Sequence, residues 1–199
     1  MTNTNIIILA AGKGSRMRSA LPKVLHKLAG RSMLGHVVAA TETIAGAKRI
    51  IVTGHGAEMV EQGFSNAGHS FVQQKEQLGT AHAVQMAVPY LCDHAKVLVL
   101  YGDVPLILPS TITDVLNAVT DQSMGLLTIH LDQPDGYGRI VREQDGAIAS
   151  IIEQKDATAE QLEITEVNTG VLALEASQLR DWLPQIKIGR AHVCTPVTN

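Results

Sequence analysis

The sequence predicts an α/β fold, a mostly parallel sheet flanked by helices and built as a single domain. Three observations carry this. Several runs of Val, Ile and Leu are apolar without a break, the pattern of strands buried on both faces of a parallel sheet. These runs alternate with segments of helical pattern, which implies βαβ units. The residues with chemical character fall just after the runs, where open α/β sheets place their ligands.

In chain order, strands are expected at 6–10, 49–53, 70–73, 96–101, 125–131, 148–153 and 167–173. Helices are expected at 33–45 behind Ser32, at 57–63, at 80–91 with Thr80 as the capping residue, at 110–119 and at 175–183. Gly136-Tyr137-Gly138, next to Pro134 and Asp135, marks a tight connection where the chain passes from one half to the other. No internal repeat or low-complexity segment interrupts the pattern.

A length of 199 residues allows one sizeable domain with a real core. Aromatics are only 3% against 45% apolar residues, so that core is aliphatic. The net charge is −3, with no basic stripe and few rings to interleave with one, which argues against nucleic acid as the main partner. No apolar run approaches the roughly 20 residues of a membrane helix, and the N-terminus lacks the charged start of a secretory signal. A cytoplasmic setting is expected. Cys92 has no ligand-like spacing to any histidine and is expected as a buried or half-buried thiol. The histidines include no i, i+4 pair, so zinc hydrolase chemistry is unsupported; His26 and His82 are expected to pack rather than catalyse.

The most informative stretch runs from Leu9 to Met17. A solid apolar block breaks into Ala10, Ala11, Gly12 and Gly14, whose bare backbone lets N–H groups approach an anion. Arg16, and Lys23 behind Pro22, add cations. A nucleoside triphosphate suits this loop. A dinucleotide fingerprint is excluded because its third glycine position is Met17, and no P-loop run occurs anywhere.

Three further constellations follow strands. Gln73 to Ala83 is either a polar loop leading into a capped helix or a base-recognition loop. In the second case the Gln74 amide offers donor and acceptor together to a uracil edge, and Gly79 lets base or ribose lie against backbone. Leu98 to Pro105 delivers Asp103 to the end of a buried strand, either as a turn cap or as a Mg²⁺ ligand beside phosphate oxygens. Glu153 and Asn168 stand at the ends of strand-like runs, and with Gly138 they suit the hydroxyls of a sugar.

Together these motifs resemble the sugar-phosphate nucleotidyltransferases. Within them they are most similar to the uridylyltransferase (pyrophosphorylase) domain of the bacterial bifunctional N-acetylglucosamine-1-phosphate uridylyltransferase/glucosamine-1-phosphate N-acetyltransferases. The resemblance runs from Ile6 to about Leu183. It rests on Leu9–Met17, Leu21-Pro22-Lys23, Glu76–Thr80, Tyr101–Pro105, Gly136–Arg139 and Asn168–Gly170, in order and at the expected spacing. It implies a Rossmann-like sheet and transfer of UMP from UTP to N-acetylglucosamine 1-phosphate. The products are UDP-N-acetylglucosamine, a cell-wall and lipopolysaccharide precursor, and pyrophosphate. It also implies residue roles: Leu9, Ala10, Ala11, Gly12 and Lys23 on the nucleotide and its phosphates, Arg16 stabilising the reacting triphosphate, and Gln74, Gly79 and Thr80 on uracil. Tyr101, Gly102 and Asp103 would line the site, with Asp103 holding Mg²⁺, and Gly138, Glu153 and Asn168 would bind the sugar.

The family pattern continues with an asparagine metal ligand and a trimerising β-helix that carries acetyl transfer, neither of which this sequence contains. The expectation is therefore a nucleotidyltransferase domain over 1–187, incomplete at its C-terminal end and without acetyltransferase activity. Residues 188–199 match nothing in the family, resemble a library adapter and are expected to be artefactual. Two alternatives stand beside this reading: a nucleotide-binding but inactive fragment, and a related nucleotidyltransferase with another base or sugar.

Overall fold

A computed structural model describes residues 3–12, 14, 17, 19–65 and 68–186. Its strands are β1 (Asn3–Ala10), β2 (Lys27–Leu28), β3 (Arg31–Ser32), β4 (Lys48–Thr53), β5 (Ser70–Gln73), β6 (Ala95–Tyr101), β7 (Gly125–His130), β8 (Arg139–Arg142), β9 (Ile148–Ile152) and β10 (Glu166–Glu175). Its helices are α1 (Met33–Thr41), α2 (Ala57–Phe64), α3 (Thr80–Ala87), α4 (Pro109–Asn117), α5 (Ala159–Leu162) and α6 (Ala176–Trp182). The described residues divide into two compact units, 3–125 with 172–186, and 126–171. The division falls at 125/126 and 171/172, and the Pro134–Gly138 connection, which is not a domain boundary, lies inside the second unit.

In the first unit the strands run β5-β4-β1-β6, all parallel, and Leu172–Glu175 at the end of β10 close the row antiparallel to β6. β1 is central because it is buried on both faces from Ile6 to Ala10. Ile7, Leu9, Ile50, Val52, Val97 and Val99 share one face with Ala83, Val84 and Ala87 of α3 and Leu179 of α6. By the alternation of strand side chains, Ile6, Ile8, Ile51, Leu98 and Leu100 point the other way and are also fully buried. Helices α1 and α4, which contact each other, bury Leu34, Val37 and Ile112 outside the first cluster. Each such aliphatic side chain contributes about 1.5–3 kcal/mol of burial.

Local chemistry sets the helix limits. The Ser32 hydroxyl accepts from Gly35 N at 3.1 Å and caps α1. That helix stops at Thr41, short of the expected 45, because Arg49 donates to the Thr41 hydroxyl (2.8 Å) and carbonyl (2.7 Å). α3 ends at Ala87 rather than 91, since Pro89 has no N–H and tightens the chain into a 3-10 turn over Val88–Tyr90. Thr80 is not the cap of α3. Gly79, at φ 105°, is the cap and Thr80 is the first helical residue. The turn is made where only glycine is unstrained, which turns the Thr80 hydroxyl toward Tyr101 instead. At the far end of α4, Lys96 Nζ donates to the carbonyls of Leu116 (3.0 Å) and Val119 (3.1 Å), satisfying groups the helix leaves open.

The second unit pairs β8 antiparallel to β9, sets Val167 of β10 against Arg139, and joins β7 to β10. β8, α5 and the β2–β3 hairpin are additions to the elements expected from sequence. Glu166 is buried here and receives three hydrogen bonds: from Arg142 Nε (2.8 Å), Arg142 Nη2 (2.6 Å) and the Thr128 hydroxyl (2.6 Å). Chiefly through the Arg142 bonds, and against the opposing effect of burial, its carboxyl is held at about 2 instead of 4.5. A folded value below the unfolded one means the pair contributes fully above pH 4.5, and its contribution is lost as pH falls toward 2. The loss of stability over that window is expected to be shallower in Glu166→Gln than in the parent chain, as circular dichroism during acid titration would measure.

Candidate functional site

A cleft of about 450 Å³ opens at the carboxyl ends of β1 and β6 in the first unit. Leu9, Ala10, Ala11 and Gly12 form its floor, and among the described residues beyond its chain neighbours no atom lies within 4 Å of where a Gly12 Cβ would sit. Lys23, Tyr101, Asp103, Gln74, Gly79 and Thr80 also line the cleft. Residues far apart in sequence thus meet around one space, as the strand-end rule requires. Gly102 is placed differently. It is buried behind the floor, where its N–H donates to the Leu9 carbonyl at 2.9 Å and extends the β1–β6 ladder. A side chain there would meet that carbonyl, Leu34 and Val24, each at 3.3 Å. Arg16 lies outside the described residues, as does the segment 188–199.

Lys23 Nζ donates to Asp103 Oδ2 at 2.7 Å, across 80 residues of sequence. Pro22 aims the chain into the 3-10 turn that carries Lys23, and Gly14, at φ 57°, leaves room beside it. A Cβ on Gly14 would lie 2.9 Å from Lys23 Cβ. Asp103 is the only carboxylate among the described lining residues, and no group of three or more potential metal ligands occurs among the described residues. One carboxylate with phosphate oxygens fits the donor set that Mg²⁺ takes at nucleotide sites.

Burial pushes the Tyr101 hydroxyl above its ordinary value; the Thr80 hydrogen bond opposes this and the Asp103 charge adds to it. At neutral pH Tyr101 is therefore a neutral phenol able to donate. The Gln74 side chain is 4% exposed, and its Nε2 donates to the Gly79 carbonyl (3.0 Å) and lies 3.1 Å from His82 Nδ1. Its donor side is thereby committed inside the loop, which leaves the amide oxygen. Gln77 also lines the cleft and donates from Nε2 to the Ala11 carbonyl at 2.7 Å. It falls within the Glu76–Thr80 motif, but the sequence assigns it no role of its own, because a loop glutamine has no periodicity and this partner is 66 positions away.

In the second unit the three candidate sugar residues come together. Asn168 N donates to the Gly138 carbonyl at 2.9 Å, and the Glu153 carboxylate lies 3.6 Å from where a Gly138 Cβ would be. The Asn168 side-chain oxygen accepts from Gly170 N at 2.8 Å. Behind them Arg139, 2% exposed, donates to the carbonyls of Pro134 (2.8 Å) and Tyr137 (2.6 Å), fixing the loop before Gly138.

A family model for the MobA-like NTP transferase domain matches residues 6–155. The chain belongs to this family. Among curated relatives of this NTP transferase chain, the bifunctional protein GlmU of Cellvibrio japonicus is 51% identical over 182 residues, 92% of this chain and 40% of that protein. GlmU of Marinobacter nauticus is 50% identical over 191 residues, 96% of this chain and 42% of that protein. The chain thus spans about two fifths of the length of these relatives. Among solved structures, a nucleotidyl transferase from Methanothermobacter thermautotroptrophicus superposes with TM-score 0.67 at 22% identity, covering 96% of this chain and 79% of that one. A Bacillus anthracis protein crystallised with sucrose superposes with TM-score 0.73 at 19% identity, covering 92% and 76%. At such identities the two structures establish the fold of the NTP transferase chain and nothing more. No described helix is long and apolar enough to cross a membrane.

Proposed function

We propose that this chain transfers UMP from UTP to N-acetylglucosamine 1-phosphate, releasing pyrophosphate and forming UDP-N-acetylglucosamine in the cytoplasm for cell-wall and lipopolysaccharide synthesis. The observation that carries the reading is the Lys23–Asp103 pair at 2.7 Å beside a floor of bare backbone. Half-identity to GlmU proteins over nearly the whole chain supports the choice of uridine and of this sugar. It also speaks against guanine nucleotide chemistry.

The reaction needs no protein nucleophile. A phosphate oxygen of the sugar phosphate attacks the α-phosphorus of UTP in line, and pyrophosphate leaves. The amides of Ala10, Ala11 and Gly12 hold phosphate oxygens, Lys23 neutralises charge that builds up on them, and Arg16 adds a second cation. Gln74, Gly79 and Thr80 orient the base, the Tyr101 phenol donates at the ribose end, and Gly138, Glu153 and Asn168 take the sugar hydroxyls. Mg²⁺ bound by Asp103 and phosphate oxygens would supply further charge neutralisation.

A pyrophosphate-release assay with UTP, N-acetylglucosamine 1-phosphate and Mg²⁺ tests this. Turnover that is lost when GTP replaces UTP is the expected result, and turnover with GTP alone would refute it. The other reading is a nucleotide binder without turnover. UTP binding with no pyrophosphate release is its signature.

A further inference from the structure

The Ala11 carbonyl is held from two sides. Gln77 Nε2 donates to it at 2.7 Å, and Gly54 packs so closely that an added Cβ would lie 2.5 Å from the same oxygen. A trans peptide points its C=O and the following N–H in opposite directions, and no described peptide bond is cis. Fixing the Ala11 oxygen therefore fixes the direction of the Gly12 N–H on the open floor of the cleft. The loop that carries Gln77 is itself anchored: Gln74 N donates to the Thr53 carbonyl at 2.8 Å, and Gln74 Nε2 donates to the Gly79 carbonyl.

We propose that Gln77 is a positioning residue that aims the Gly12 amide at a bound phosphate and so ties the Gln74–Gly79 loop to the phosphate loop. It acts through Ala11 and does not itself touch phosphate, since its amide nitrogen is committed to that carbonyl. The inference rests on the triphosphate reading of the cleft but not on turnover.

The test uses the chain as it stands, with inorganic tripolyphosphate and uridine as separate probes, titrated by calorimetry and by ligand-observed NMR. Gln77→Met keeps the reach and removes the donor. It is expected to weaken tripolyphosphate about five- to tenfold, the effect of one lost neutral hydrogen bond, while uridine binding stays unchanged. Gln77→Glu keeps the shape, replaces the donor with a second acceptor, and is expected to weaken tripolyphosphate further. A purely structural role would weaken both probes together with the melting temperature, and a direct base contact would weaken uridine alone. Either result overturns the proposal, as does unchanged tripolyphosphate affinity. A parent chain that binds tripolyphosphate without releasing pyrophosphate from UTP would sink the proposed reaction and still decide the role of Gln77. A parent chain that binds no tripolyphosphate would overturn both.

Discussion

Asp103→Asn is expected to lower pyrophosphate release by about 100-fold or more, the scale set by losing a few kcal/mol of charge stabilisation in the transition state. The substitution keeps the shape of the side chain and removes the only carboxylate among the described lining residues. The fold should survive it. The Lys23 and Asp103 side chains are 40% and 31% exposed, and an ion pair so open to water contributes about 0–1 kcal/mol. Binding should move the opposite way from turnover. Without divalent metal, UTP is expected to bind at least as tightly to the variant, because a negative charge is gone from beside the phosphates and Lys23 is freed to meet them. Calorimetry with and without Mg²⁺, set beside initial rates, separates the two effects. Wild-type turnover in Asp103→Asn would remove Asp103 from the mechanism.

The second large effect is expected at Gly54, which no sequence motif singles out. It sits at the end of β4 against the phosphate loop, and a Cβ there would lie 2.5 Å from the Ala11 carbonyl oxygen and 2.9 Å from Ala11 Cα and Cβ. Two of those three atoms are backbone, so the loop itself must move. Gly54→Ala is expected to cost about 1–3 kcal/mol of stability, several degrees in melting temperature, and to weaken UTP binding through the displaced floor. Gly63→Ala, in α2, where a Cβ would meet no other described residue within 4 Å, is the natural control. There the helix gains about 0.5–1 kcal/mol from losing a glycine. If both variants melt alike, the close approach at Gly54 does not constrain the loop.

The first unit was legible because buried parallel strands leave an unmistakable record. Ile6–Ala10, Ile50–Val52 and Val97–Leu100 are apolar on both faces and admit few other placements. The second unit was less so. Its strands expose one face, β8 is only Arg139–Arg142, and its antiparallel turns give no alternation with helices to read. The cleft was readable wherever a residue acts through its own type and follows a strand, as Lys23 and Asp103 do. It was not readable where a role depends on what a distant segment touches. Gln77, Gly54 and Gly102 work through contacts with Ala11 or Leu9, and no local pattern records such a contact. Thr80 illustrates the same limit at short range, since a favourable capping residue loses its place when the neighbouring glycine takes up the turn.

β10 has a consequence for the order in which the protein is made. Its last residues, Leu172–Glu175, are what pair with β6, yet they follow the entire second unit along the chain. A nascent chain that has emerged only to Gly125 holds β6 with one side bare, open to any passing strand of another polypeptide. Vectorial synthesis thus leaves a window of vulnerability that closes when residue 175 clears the ribosome, and translation pauses between those points would lengthen it.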